Sequence, residues 1–285
     1  MEITRVCVVG GGTMGNGIAH VFALKGFEVT LVEAKKELAD KALATIAKNL
    51  DRQAAKGVIT AADKEGALSR LKPALSPKVA PGFQFAVEAV SERMDLKKAI
   101  FRDLDAAAAP GAILATNTSS LPITEIASVV KDPTRVIGMH FMNPVPVMKL
   151  VEIIRGLQTS DETYRATHDL AVKLGKTPAM AKDFPGFISN RVLMPMINEA
   201  IFCLMEGVST KEDIDTIMKL GMAHPMGPLQ LADYIGLDVC LDIMEVLHRG
   251  YSDSKYRPCP LLRQMVQAGR LGVKSGAGFY EYPKK

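Results

Sequence analysis

Apolar positions along the first two thirds of the chain fall into short runs separated by amphipathic stretches. Val6 to Val9 is a valine-rich run that ends on a glycine cluster, and Glu28 to Glu33 (EVTLVE) is a second strand-like segment. Phe83 to Val90, Ala112 to Thr116 and Arg135 to Met139 have the same character. Between them, Met14 to Leu24 and Met94 to Ala107 carry apolar residues at helical spacing. Alternation of this kind predicts a parallel sheet with helices on both faces. Residues 35–70 form a longer helical excursion without a strand signal. Beyond about residue 185 the strand pattern stops. Asn190 to Met205, Lys211 to Leu220 and Leu229 to His248 are expected as helices, broken at Gly207, His224-Pro225 and Gly227-Pro228. The best boundary is Lys182-Asp183-Phe184-Pro185-Gly186. The expectation is an α/β domain over residues 1–185 and a smaller all-α domain over 186–285.

Composition narrows the function classes. The 285 residues are 48% apolar and 23% charged, the balance of a globular chain with a sizeable core. Thirty-five Lys and Arg against 31 Asp and Glu leave +4, too mild for a dedicated nucleic-acid binder. No apolar run reaches the roughly 18 residues needed to span a bilayer, so no membrane role is expected. A strand-like run begins at Ile3, which argues against a leader peptide. Cys7, Cys203, Cys240 and Cys259 are scattered and form no metal-ligand pair, so no metal is expected and reduced cytoplasmic thiols are the simplest account.

Gly10-Gly11-Gly12-Thr13-Met14-Gly15 contains G-x-G-x-x-G at Gly10, Gly12 and Gly15. It follows a strand and opens a helix, the context in which such a loop holds a pyrophosphate. The first glycine makes the turn, the second admits the phosphates and the third lets helix and strand approach. Glu33 lies at the end of the second strand, where an acid grips a ribose 2′-hydroxyl and repels a 2′-phosphate. The motif alone fits a flavin dinucleotide as well as a nicotinamide one.

The strand Arg135 to Met139 delivers His140 at its end, a natural general base near neutral pH. After the stiff Asn143-Pro144-Val145-Pro146 loop, Glu152 is the one charge in the apolar run Leu150 to Ile154. A carboxylate in such a run needs a partner, and an imidazole would serve. Spacing alone is equally met by a structural histidine and an unrelated edge-strand glutamate. Asn117-Thr118-Ser119-Ser120, at another strand end, suits a ligand or a turn cap. Asn190 fits either a cleft residue or a polar group at a helix start.

Taken together, the segments VCVVGGGTMGNGIA, FAVEAVSERMDLKKAIF, ATNTSSLPITEIAS, VIGMHFMNPVPVMKLVEII, DFPGFISNRVLMPMINEA, EDIDTIMKLGMAHPMGPLQLADYIGLDVC and GVKSGAGFYEY resemble the short-chain 3-hydroxyacyl-CoA dehydrogenases nearly end to end. The resemblance implies a Rossmann-type, mostly parallel sheet domain and a C-terminal helical domain that forms a homodimer. It implies an NAD-dependent oxidoreductase acting on an acyl-CoA substrate, (S)-3-hydroxybutyryl-CoA to acetoacetyl-CoA, within fatty acid or butanoate metabolism. His140 then resembles the catalytic base and Glu152 its orienting partner, with Ser119 and Asn190 on the substrate oxygens. Gly10, Gly12, Thr13, Met14, Gly15, Glu33, Glu92, Lys97, Asn117, Ser119, Asn143 and Lys274 match cofactor positions. Arg52 and Lys56, with Lys48 on one helical stripe, match positions that hold coenzyme A phosphates. The chain departs from the usual family pattern in reading Gly-Gly-Gly for Gly-Ala-Gly, and in having Glu33 where many relatives have aspartate. A dehydrogenase of a free hydroxy acid or sugar acid would need a charged carboxylate clamp, and the residues flanking His140 contain none. A non-catalytic NAD-binding protein would have no need of His140, Glu152, Ser119 and Asn190 together.

Overall fold

The valine run becomes β1 (Arg5–Val9) of a computed structural model that describes residues 2–79 and 81–283. The chain divides into two units, residues 1–183 and 184–285. In the first, β1 leads through the glycine loop into α1 (Thr13–Leu24), then β2 (Glu28–Val32), α2 (Lys36–Ala55), α3 (Ala61–Ser69) and β3 (Leu71–Ala74). There follow β4 (Phe85–Glu88), α4 (Met94–Ala107), β5 (Ile113–Thr116), α5 (Ile123–Ala127) and β6 (Val136–Phe141). The unit ends with β7 (Leu150–Arg155), α6 (Asp161–Lys173) and β8 (Thr177–Lys182). The strands form one sheet in the order β3-β2-β1-β4-β5-β6-β7-β8. The first six run parallel; β7 reverses against β6, and β8 runs with β7.

In the first unit, three features differ from the sequence expectation. β3 directly follows the helical excursion, and β8 precedes the second unit; no strand was expected at either place. Both are edge strands and both contain proline, Pro73 and Pro178, which edges tolerate and which erases the usual strand signal. Third, β6 continues past Met139, so His140 is its fifth residue rather than the residue after it. The strand extends because β7 turns back and pairs with it as far as Phe141↔Val151.

Alternation assigns the faces of the sheet. Val6, Val8, Phe85, Val87, Ile137, Met139, Val151 and Ile153 share a core with Ile18 and Phe22 of α1. Phe22 packs edge-on against Phe27 at 5.4 Å. Full burial of each such side chain is worth about 1.5–3 kcal/mol. Glu88, Thr116, His140 and Glu152, at the intervening positions, therefore belong to the opposite face. There, a Cβ on Gly138 would stand 2.8 Å from Ile154 Cβ and 2.9 Å from Ile123 Cδ1, so only glycine lets α5 dock.

The second unit contains α7 (Ser189–Met205), α8 (Lys211–Gly221), α9 (Pro228–Ile235), α10 (Leu237–Tyr251) and α11 (Pro260–Gln267). The single helix expected over residues 229–248 is two, broken at Gly236, whose φ of +104° is a conformation that favours glycine. Met194, Ile197, Ile201, Leu229, Leu247 and Leu262 are among its core residues. Two buried aspartates fix the C-terminal tail. Asp233 accepts from the Phe279 and Tyr280 amides at 2.9 Å and from the Tyr282 hydroxyl at 3.1 Å. Asp215 accepts from Leu229 N at 2.8 Å and Tyr280 Oη at 2.9 Å. A Cβ on Gly278 would lie 1.8 Å from Asp233 Oδ1, which accounts for a glycine in this tail.

Candidate active site

The glycine loop fits a dinucleotide on steric grounds. Gly10 has φ +95°, and its Cβ would meet the Ala89 carbonyl at 2.7 Å. A Cβ on Gly15 would be 1.6 Å from Gly10 O, so the first turn of α1 can sit on the loop only as glycine. Gly12, the residue before α1, has nothing within 4 Å of its would-be Cβ, which leaves open space at the positive end of a twelve-residue helix. Thr13 and Met14 form the first turn of that helix. The Glu33 carboxylate lies beside the loop, just beyond β2, accepting from Gly11 N at 2.6 Å and Ala34 N at 3.1 Å. A cavity of about 500 Å³ is lined by Gly10, Gly12, Glu33, Leu75, Val90 and Leu96 among others. Its far wall, Leu75 to Pro77 and Asp103, was not anticipated from the sequence, because it depends on the unforeseen β3. Lys35 and Lys36 are exposed, and Lys36 pairs with Asp40 at 2.6 Å.

A chain of polar groups, buried at Lys97, Glu88, Thr116 and Thr118, runs along the carboxyl ends of β4 and β5. Lys97 of α4, 1% exposed, holds Glu88 at 2.7 Å and Glu92 at 3.2 Å. Glu88 also accepts from Thr116 Oγ1 and Val90 N, each at 2.7 Å. Glu92 in turn accepts from Thr118 Oγ1 at 2.9 Å, Ser119 N at 2.5 Å and Ser119 Oγ at 2.9 Å. Buried charges persist only when paired and hydrogen-bonded, and here each one is. Lys97 reaches the surface of the loop through Glu92 rather than by its own exposure. Glu88 was not anticipated; a lone charge closing the apolar strand Phe85–Glu88 is the signal that would have marked it. Asn117 accepts from Phe141 N at 2.9 Å and so ties the end of β5 to the end of β6.

His140 and Glu152 are direct partners in the antiparallel ladder of β6 and β7. Opposed residues in such a ladder share a face, and a slip of one residue would send Glu152 to the other side of the sheet. His140 Nδ1 lies 3.2 Å from Glu152 Oε2, and the two residues are 8% and 3% exposed. An Nδ1–H donating to the carboxylate makes Nε2 the proton-accepting nitrogen. β7 is not an edge strand, since β8 covers it, so Glu152 is an interior carboxylate rather than an edge one. Asn143 is exposed in the connection between the two strands.

In the second unit, Asn190 is 8% exposed in the first turn of α7. Lys274 is exposed and pairs with Asp238 at 2.5 Å. On α2 and its C-terminal cap, Lys48, Arg52 and Lys56 are exposed, while Ile46 and Leu50 are fully buried on the other side.

Comparison with known proteins agrees across the whole chain. Residues 5–184 match the model of the 3-hydroxyacyl-CoA dehydrogenase NAD binding domain, and residues 186–282 that of the 3-hydroxyacyl-CoA dehydrogenase C-terminal domain. A probable 3-hydroxybutyryl-CoA dehydrogenase of Bacillus subtilis is 56% identical over 285 residues, 100% of this chain and 99% of the relative. A 3-hydroxybutyryl-CoA dehydrogenase of Bradyrhizobium diazoefficiens is 52% identical over 98% of this chain and 96% of its own length. The crystal structure of (S)-3-hydroxybutyryl-CoA dehydrogenase from Ralstonia eutropha superposes with a TM-score of 0.97 at 49% identity, covering 99% of this chain and 100% of that one.

Proposed function

The chain belongs to the 3-hydroxyacyl-CoA dehydrogenase family and is an NAD-dependent dehydrogenase, and from that premise we propose that it interconverts (S)-3-hydroxybutyryl-CoA and acetoacetyl-CoA. The observation that carries the chemistry is the buried His140–Glu152 pair on the face of the sheet opposite α1. In oxidation, His140 Nε2 takes the proton of the substrate 3-hydroxyl; in reduction, the imidazolium returns it. Glu152 holds the ring by Nδ1 and stabilises its charged form, as the third member of a triad does. The bound nicotinamide supplies the hydride chemistry. Glu33 suits a ribose with a free 2′-hydroxyl, and Ser119, which hydrogen-bonds Glu92, is assigned to a substrate oxygen or the cofactor. Asn143 is assigned to the nicotinamide side. Asn190 is assigned to a substrate oxygen and Lys274 to the cofactor, and both assignments rest on the family pattern alone.

The deciding experiment follows NADH oxidation with acetoacetyl-CoA and with free acetoacetate. Turnover of the thioester with little of the free acid supports the proposal, and comparable kcat/KM for both overturns the substrate assignment. His140→Gln is expected to lower kcat by about 10²–10⁴-fold, the usual contribution of general acid–base catalysis, with KM for NADH nearly unchanged. Retention of more than about a tenth of wild-type kcat would remove His140 from its role.

The enzyme is further proposed to be a cytoplasmic homodimer assembled through its helical unit. Val192, Leu220 and Met222 are 67%, 81% and 60% exposed, an apolar display of the sort that marks a partner surface. Among the described residues, no helix is long and apolar enough to cross a membrane.

A further inference from the structure

The connection from β6 to β7, residues 142–149, carries Asn143 and returns the chain so that Glu152 opposes His140. It is held from beneath by two contacts that the chemistry above leaves unused. Val145, 2% exposed, packs on α1 where a Cβ on Gly17 would come within 2.9 Å of Val145 Cβ. The second contact is Lys176, just before β8. Its ammonium donates to the Val145 carbonyl and, at 2.8 Å, to the Met148 carbonyl. Lys176 is 8% exposed and forms no ion pair among the described residues. The next residue continues the attachment, Thr177 N donating to Lys149 O at 2.8 Å.

Burying an ammonium against neutral carbonyls is costly, and a neutral apolar side chain of the same length would avoid that cost. Desolvation accordingly lowers the Lys176 pKa from its ordinary value. What the cation gains is geometry: one group with several donors gathers two carbonyls three residues apart and sets the course of the loop. His140 and Glu152 do not depend on it, because the β6–β7 ladder fixes them. Asn143 has no such support, since it lies exposed in the loop itself.

We propose that Lys176 is a positioning residue: by clamping the Val145 and Met148 carbonyls it holds the loop that presents Asn143 to the nicotinamide. This rests on the assignment of Asn143 to the cofactor. The consequence is a division of labour, in which the ladder sets the base and the ammonium clamp sets the cofactor contact.

Steady-state kinetics of Lys176→Met and Lys176→Arg with NADH and acetoacetyl-CoA test it. Losing a charged donor shared by two carbonyls is expected to raise KM for NADH about tenfold in K176M. At saturating NADH, kcat should stay within about threefold of wild type, and KM for acetoacetyl-CoA within about twofold, because the base is untouched. K176R, which keeps a cation with several donors, should recover most of the affinity. A K176M enzyme with KM for NADH within about twofold of wild type overturns the inference. So does a fall in kcat with both KM values unchanged, the mark of fewer folded molecules. If K176M does not accumulate as folded protein, Lys176→Gln is read by the same criteria. Asn143→Ala separates this inference from the assignment beneath it. An unchanged KM for NADH in N143A refutes the role of Asn143, and the inference falls with it. A raised KM in N143A alongside a normal K176M refutes the role of Lys176 alone.

Discussion

One methyl group decides whether the dinucleotide loop can exist, since a Cβ at Gly15 would lie 1.6 Å from Gly10 O. The same economy governs the His140–Glu152 pair, where each partner is one residue of a ladder and has one opposite number. Glu152→Gln keeps the size and a hydrogen-bonding tip but withdraws the charge that favours the imidazolium. This variant is therefore expected to lower kcat at least about tenfold with KM for NADH near wild type, and an unchanged kcat would remove Glu152 from its role beside His140. His140 and Glu152 were both visible in the sequence as single polar residues in apolar strands. Their pairing was carried by the resemblance and left open by spacing, because a separation of twelve positions says nothing about ladder register until β7 is known to reverse. Glu88 and Lys176 escaped notice for a related reason. A buried charge in the sequence looks the same as an exposed one until the neutralising donors, or the carbonyls it gathers, are placed around it.

Among the elements, α2 is the clearest case of a sequence pattern becoming a surface. Its apolar side is anchored by Ile46 and Leu50, both fully buried, which leaves Lys48, Arg52 and Lys56 exposed on the stripe they share with solvent. If this stripe receives the phosphates of coenzyme A, replacing Arg52 and Lys56 together with alanine raises KM for acetoacetyl-CoA and leaves KM for NADH near wild type. The increase should shrink as salt rises, because exposed charges are screened over about 10 Å at 0.1 M ionic strength. Equal losses with the full substrate and with a truncated thioester lacking the nucleotide would place coenzyme A elsewhere. The interior strands were legible because both of their faces are covered and they read as apolar runs. β3 and β8 were not, as edge strands with a proline and exposed positions obey no alternation. In the helical unit, Gly236 was overlooked as a break because an isolated glycine between helical segments is tolerated more often than not.

For the molecule as a whole, two measurements bear on assembly and stability. Light scattering at micromolar concentration is expected to give the mass of two chains, and a single-chain mass would refute the dimer. The pH dependence of stability has an identifiable contributor in His20, 1% exposed on α1, with Nε2 3.2 Å from Gln53 Oε1. Desolvation lowers its pKa from the ordinary value of 6.5, with the Lys176 charge acting in the same direction and the Gln53 hydrogen bond opposing. The unfolded chain therefore takes up this proton before the folded one does, so stability holds above about pH 6.5 and declines below it. In scanning calorimetry from about pH 7.5 to 5, His20→Gln should lose less Tm than the wild type over the same interval. Equal slopes would assign the acid sensitivity to other groups. The reversal of β7 has a last consequence, which concerns time rather than geometry. β6 is hydrogen-bonded on both sides, to β5 and to β7, and β7 is itself covered by β8. Amide protons in such a ladder exchange only through the rarest, near-global openings, whereas a connecting loop exchanges through local ones. The backbone amides of β6 that carry His140 are thus expected to be among the last in the chain to exchange, and those of the 142–149 connection to exchange sooner.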